Sequence, residues 1–132
     1  MGRTDIEVSE IGYGCGAVGG LMIRGDRAEM VQAVSTAIEG GITYFDTARS
    51  YGDGQSESNL GAVLKELKAD VVVGTKVQLR PSDMDGIEDA VVAHVEGSLG
   101  RLGRERVDLI YLHNSVVQER DADRARLSVE DV

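Results

Sequence analysis

Asp46, Tyr51, Lys76 and His113 are the side chains of this sequence suited to reducing a carbonyl. They comprise a phenol that can give up a proton, an ammonium and a carboxylate to govern it, and an imidazole to orient the oxygen. Each lies at or just past the end of an apolar run that reads as a strand. In parallel β/α folds the loops at the strand C-termini converge on one mouth, while the opposite face is structural. Four such residues on successive strands predict an active site on half a barrel.

Every one of them also has a plainer reading. Asp46 closes the run Ile42-Thr43-Tyr44-Phe45, where a carboxylate is costly to desolvate unless a cation or donor meets it. Lys76 ends the next strand and supplies that cation, yet the same pair reads equally as a structural ion pair closing the top of the barrel. Tyr51 follows in the loop Ser50-Tyr51-Gly52-Asp53-Gly54. An ammonium beside a phenol favours the phenolate, although a lone loop tyrosine is more commonly packing. His113 reads as a group that orients or protonates an oxygen, or as a satisfied structural histidine. His94 falls in the middle of a helical segment without a convergent partner and reads as surface or packing. Asp46 and His113 as metal ligands would call for a His-x-His pair or a third carboxylate, so no metal is expected. Cys15 reads as a small strand-end residue facing the site.

The elements that must position these groups are legible from periodicity. The runs Ile11 to Val18, Ile42 to Ala48, Val71 to Val77 and Val107 to His113 start about 30 residues apart, the step of a βα repeat. Met30, Val31, Val34, Ala37 and Ile38 keep helical spacing, opened by Asp26-x-x-Glu29 as a capping box and closed by Gly40-Gly41. Leu60, Val63, Leu64 and Leu67 predict a second helix. Ile87, Val91, Val95, Leu99 and Leu102 predict a third, ended by Gly103 and weakened by Gly97 and Gly100. Val71 to Val73 and Leu109 to Leu112 are continuously apolar, as strands covered on both faces are. The fold class is therefore α/β, a parallel (β/α) repeat of about four strands and three helices with right-handed crossovers, matching the N-terminal half of a (β/α)8 TIM barrel. Residues 1–114 form that half-barrel, and residues 115–132 are expected as a polar connector or tail. No fourth covering helix is evident after Asn114, so two long parallel edges and one under-covered strand would remain, an aggregation hazard unless something docks there.

Gly14-Cys15-Gly16-Ala17-Val18-Gly19 matches G-x-G-x-x-G after a strand, a dinucleotide-binding pattern. In a Rossmann unit, however, the helix starts within the glycines and points its N-terminus at the pyrophosphate. Here the best helix start is Asp26, a loop later, which favours a β/α loop with close backbone approach. The 17 glycines of the chain are in any case about twice the ordinary frequency.

A net charge of −9 with scattered acids disfavours nucleic acid and anionic membrane surfaces as partners. No run approaches the roughly 18 apolar residues of a membrane helix, and the first ten residues lack the apolar stretch of a signal peptide. The one cysteine in 132 residues excludes an intramolecular disulfide, so a cytoplasmic protein is expected.

Taken in order, Tyr44-Phe45-Asp46-Thr47-Ala48 with Tyr51-Gly52, Gly74-Thr75-Lys76-Val77, and Asp108-Leu109-Ile110-Tyr111-Leu112-His113-Asn114 resemble the aldo-keto reductase family. The resemblance extends through Ile11-Gly12-Tyr13-Gly14-Cys15-Gly16, Glu39-Gly40-Gly41-Ile42 and Ser98-Leu99-Gly100-Arg101-Leu102-Gly103, covering about residues 5 to 114. It implies NADPH- or NADH-dependent reduction of a small-molecule aldehyde or ketone. Tyr51 would be the general acid, Lys76 its activator, Asp46 the anchor of Lys76, and His113 the group that orients the carbonyl. Gly14, Cys15 and Asp46 would lie at the nicotinamide end of the cofactor. Chains of this family run to about twice this length, as (β/α)8 barrels do, and Ser128 to Val132 resembles the middle of the connection beyond the fourth strand. The expectation is a truncated product, a fragment, or a half-barrel stabilised by self-association through its sheet edges.

Overall fold

The computed structural model describes residues 1–132 except Ala17 and Gly19. Strands β1 (Tyr13–Gly14), β2 (Tyr44–Asp46), β3 (Val72–Val77) and β4 (Leu109–Leu112) form one parallel sheet in sequence order. Helices α1 (Leu21–Arg24), α2 (Arg27–Glu39), α3 (Gln55–Leu67) and α4 (Ile87–Leu102) make the connections. The three long helices are those expected from periodicity. The single turn of α1 is an addition that four residues cannot announce by period.

The caps follow the local chemistry. Asp26 accepts a hydrogen bond from the Ala28 backbone N–H at the start of α2, although among the described residues Glu29 does not complete the reciprocal bond of a capping box. Gly103 ends α4 with φ of 61°, a left-handed conformation natural to glycine.

Register sets the two faces of the sheet. Gly14 pairs with Asp46 and Asp46 with Gly74, while Lys76 pairs with Tyr111. Because side chains alternate along a strand, Tyr44, Asp46, Gly74, Lys76 and Tyr111 share the face that would line a barrel interior. Phe45, Val73 and Thr75 point the other way. There Phe45 and Val73 join Met22, Met30, Val34, Leu60, Val63 and Leu102 in the main core beneath the helices. Gly61 lets α3 and α4 touch, since a Cβ there would stand 2.2 Å from the Leu102 carbonyl oxygen.

One expectation needs correction: the edges are not both long, because β1 pairs over two residues only. The under-covered strand is β4, despite its continuous apolar run: Ile110 on the helix side is 48% and Tyr111 on the interior side 38% exposed. Residues 115–132 form two 3-10 turns, Ala122–Arg124 and Val129–Asp131, and a parallel bridge from Val116 to Leu127. Leu127 and Ala125 are buried with Val77, Leu79 and Met84 in a second, smaller core. Asn114 ties this segment down, donating to the carbonyls of Leu79 and Ala125 and accepting from the Leu79 N–H.

Candidate active site

Asp46 stands at the end of β2, and Lys76 on β3 reaches back to it with Nζ 2.5 Å from Oδ2. Lys76 also donates to the Thr47 carbonyl at 3.0 Å. The ammonium thus meets the carboxylate and a backbone dipole, which offset its partial desolvation. From the loop after β2, Tyr51 turns its ring under this cation, with Nζ 4.7 Å from the ring centroid. His113, just past β4, stands edge-on to Tyr51 with centroids 5.9 Å apart and planes at 87°. Its Nδ1 lies 3.2 Å from the Ser50 hydroxyl, which fixes the ring from the loop side. All four residues singled out in the sequence therefore come together at one end of the sheet.

The glycines of the first strand have a spatial role in this arrangement. Gly12, Gly14 and Gly16 alternate with Tyr13 and Cys15, so the small residues share the interior face. A Cβ at Gly16 would lie 3.6 Å from Cζ of Tyr51, and one at Gly12 would lie 2.7 Å from Cδ1 of Tyr44. The Tyr44 ring occupies the space a side chain at Gly12 would need, whereas the Tyr51 ring lies at ordinary contact distance from Gly16. Of the G-x-G-x-x-G pattern, Gly14 has open space beside it and Gly16 faces Tyr51, while Ala17 and Gly19 lie outside the described residues. The same alternation corrects the expectation that Cys15 faces the site. It is 1% exposed and belongs to the core beneath the helices. Burial, reinforced by the charge of Asp46 and opposed by that of Lys76, pushes its thiol up to about 12. Cys15 serves the site through its backbone, donating to the Asp46 carbonyl and accepting from the Ser56 hydroxyl.

Two groups were missed by reading the sequence. Tyr44 lies on the face of Asp46, two residues before it, and its hydroxyl donates to Asp46 Oδ1 at 3.2 Å. The Tyr111 hydroxyl, 3.3 Å away, completes the chain. Burial, then the bond with Tyr111 and the charge of Asp46, hold the Tyr44 phenol well above its ordinary range. Strand period alone would have placed Tyr44 beside Asp46. Glu57 had no such signal. Fully buried in α3, it accepts from Thr75 Oγ1 and from Arg101 Nε, each at 2.6 Å, and so ties α4 to β3 behind Lys76. His94 also has partners, with Nδ1 3.2 Å from an Arg49 guanidinium nitrogen and Nε2 3.3 Å from Asp83, contrary to the expectation of an isolated residue.

Among the described residues no group of three His, Cys, Asp or Glu side chains is placed to hold a metal ion. Among the described residues no helix is long and apolar enough to cross a membrane.

The model of the aldo/keto reductase family matches residues 10–125. The chain belongs to the aldo/keto reductase family. Among its relatives, the aldo-keto reductase YhdN of Bacillus subtilis is 38% identical over 117 residues, a match covering 83% of this chain and 35% of the relative. The solved structure of aldo-keto reductase AKR11C1 from Bacillus halodurans superposes with a TM-score of 0.70 at 30% identity, over 86% of this chain and 39% of that one. An aldo-keto reductase from Klebsiella pneumoniae, solved with NADPH, gives a TM-score of 0.66 at 30% identity, over 81% and 36%. This member of the family thus spans little more than a third of the relatives it matches. Its four-stranded sheet corresponds to the N-terminal half of their (β/α)8 barrel.

Proposed function

We propose that the chain carries the proton-handling half of an NAD(P)H-dependent carbonyl reductase that converts an aldehyde or ketone to an alcohol. The observation that supports this most is the position of Lys76, in contact with Asp46 at 2.5 Å and 4.7 Å from the centre of the Tyr51 ring. Tyr51 is the general acid and gives its proton to the carbonyl oxygen as negative charge develops there. Lys76 stabilises the phenolate left behind. Asp46 fixes Lys76, and His113, edge-on to Tyr51, orients the carbonyl.

NADPH, which the Klebsiella pneumoniae relative binds, or NADH is the reductant; when bound, its nicotinamide supplies the hydride. The residues present fit its nicotinamide end. At Gly14 nothing lies within 4 Å of where a Cβ would stand, so its backbone is open beside Asp46, its partner on β2. Gly14 and Asp46 would receive that end of the cofactor. The side chain of Cys15 is turned away and takes no part. A second barrel half, in the same polypeptide or from a second copy, would hold the remainder. A reducing cytoplasm suits this chemistry.

The test is consumption of NADPH with a simple aromatic aldehyde by the purified chain, with the Tyr51→Phe variant beside it. Turnover that falls by about 10²-fold or more in the variant supports the reading. If the chain neither consumes NADPH nor quenches its fluorescence, the isolated chain is not a reductase.

A second reading is favoured by the exposure of Ile11 (71%) before β1 and of Ile110 (48%) on β4, at the two edges of the sheet. In it the chain is a non-catalytic half-barrel that acts by self-association. Light scattering giving a monodisperse monomer at micromolar concentration would remove this alternative.

A further inference from the structure

Between α4 and the loop after β2, a cleft of ≈ 260 Å³ is lined by Arg49, Ala93, His94, Gly97 and Arg101. No carboxylate lines it, which is notable in a chain of net charge −9. The spacing of His94, Gly97 and Arg101 puts them on one face of α4, and Arg49 descends onto that face from the loop after β2.

The two guanidinium groups are held from behind. Arg101 spends Nε on buried Glu57 at 2.6 Å and Nη2 on the Ser98 hydroxyl at 3.1 Å. Its Nη1 lies over the bare backbone of Gly97, 3.2 Å from where a Cβ would be, and has no hydrogen-bond partner among the described residues. Arg49 uses Nη1 on His94 Nδ1, and its Nε and Nη2 have no partner among the described residues. On the far side of His94, Asp83 accepts from Nε2, which orients the imidazole so that Nδ1 faces Arg49. Glu57 and Asp83 thus hold Arg101 and His94 in place rather than fill the space between the cations, and Asp53, which shares an adjoining pocket with Arg49, does not line the cleft. Small residues at 93 and 97 keep that space open.

We propose that this cleft binds a phosphate group. Planar guanidinium forks are suited to phosphate oxygens, and two of them approaching from different elements match a tetrahedral anion better than a planar carboxylate. The site is independent of the reductase reading, because none of its residues belongs to the tetrad.

The test is a titration of the full chain with inorganic phosphate at constant ionic strength, followed by ¹H–¹⁵N NMR, with chloride as the control anion. Saturable shifts centred on Arg49, His94, Gly97 and Arg101, absent with chloride, are expected. Arg49→Gln should weaken binding about tenfold or more. Ala93→Glu, at an exposed position of α4, should do the same by placing a carboxylate at the opening, and keeps the test decisive if Arg49→Gln fails to fold. A parallel titration with glycerol 3-phosphate separates the sources. Tighter binding than inorganic phosphate identifies a phosphate monoester, and equal or weaker binding the free ion. Absence of saturable shifts, or undiminished affinity in Ala93→Glu, would overturn the proposal.

Discussion

Lys76 and Asp46 meet although they are two residues out of register. Asp46 pairs with Gly74 across the β2–β3 ladder, yet Lys76 Nζ reaches its Oδ2 at 2.5 Å. The strand period of two puts Lys76 on the same face as Gly74, and the length of the lysine stem closes the gap. The cation is thereby tilted back over the Tyr51 ring. Lys76→Met is expected to abolish carbonyl reduction to about the level of Tyr51→Phe, a loss of roughly 10²-fold or more. It should also cost about 2 kcal/mol by leaving Asp46 without its charged donor. Steady-state kinetics and urea unfolding check the two effects separately.

Tyr44 holds the other oxygen of the same carboxylate, at 3.2 Å. Tyr44→Phe leaves the packing and removes the bond, so kcat should fall severalfold while substrate KM stays near its original value. An unchanged kcat would make Tyr44 a packing residue only.

Gly74 exists in the middle of β3 because a Cβ would come within 2.5 Å of the Tyr44 hydroxyl oxygen. Gly74→Ala should destabilise by about 1–3 kcal/mol, the usual cost of overpacking. Much of that loss should be recovered when Tyr44→Ala is added, because the obstacle is a side chain. Gly61→Ala meets the Leu102 backbone at 2.2 Å instead, and no side-chain truncation should rescue it. Urea midpoints for the single and double variants provide the comparison.

The buried Glu57 carboxylate is balanced by Arg101 and Thr75, each at 2.6 Å. Glu57→Gln should cost about 3 kcal/mol by stranding the Arg101 cation, whereas Glu57→Gln with Arg101→Met should cost less than the sum of the two single changes. A double-mutant cycle in urea measures this.

Cys15 gives the stability a defined alkaline dependence. Its thiol titrates from 9.0 unfolded to about 12 folded, so between those values the folded state binds more protons. The contribution is fully present below pH 9 and is lost progressively as pH rises towards 12. Tyr44, also raised, adds a fall in the same direction only above its ordinary value of 10.0. Cys15→Ala should therefore flatten the decline between pH 9 and 10, read as urea midpoints across that range. An equally steep decline in the variant would refute the assignment.

Much of this molecule was legible before folding because its signals are local. Met30, Val34 and Ile38 mark one side of α2 by period, Gly103 marks the end of α4, and the apolar run ending at Lys76 marks β3. Those same runs put Asp46, Lys76 and His113 at strand ends, which in a parallel sheet is sufficient to bring them to one mouth. Cys15 was misread because its neighbours Gly14 and Gly16, not itself, occupy the interior phase of the alternation.

The sequence by itself determined the order of elements, the parallel repeat and which side chains stand at the strand ends, since these depend on residue type and short-range period. Only the tertiary structure decided which atoms satisfy which. Glu57 joins Arg101 and Thr75, Tyr44 lies across Gly74 towards Tyr111, and Arg49 meets His94 over α4. These contacts join residues up to 67 positions apart. They are set by strand register and helix packing, quantities that no local pattern of side chains encodes.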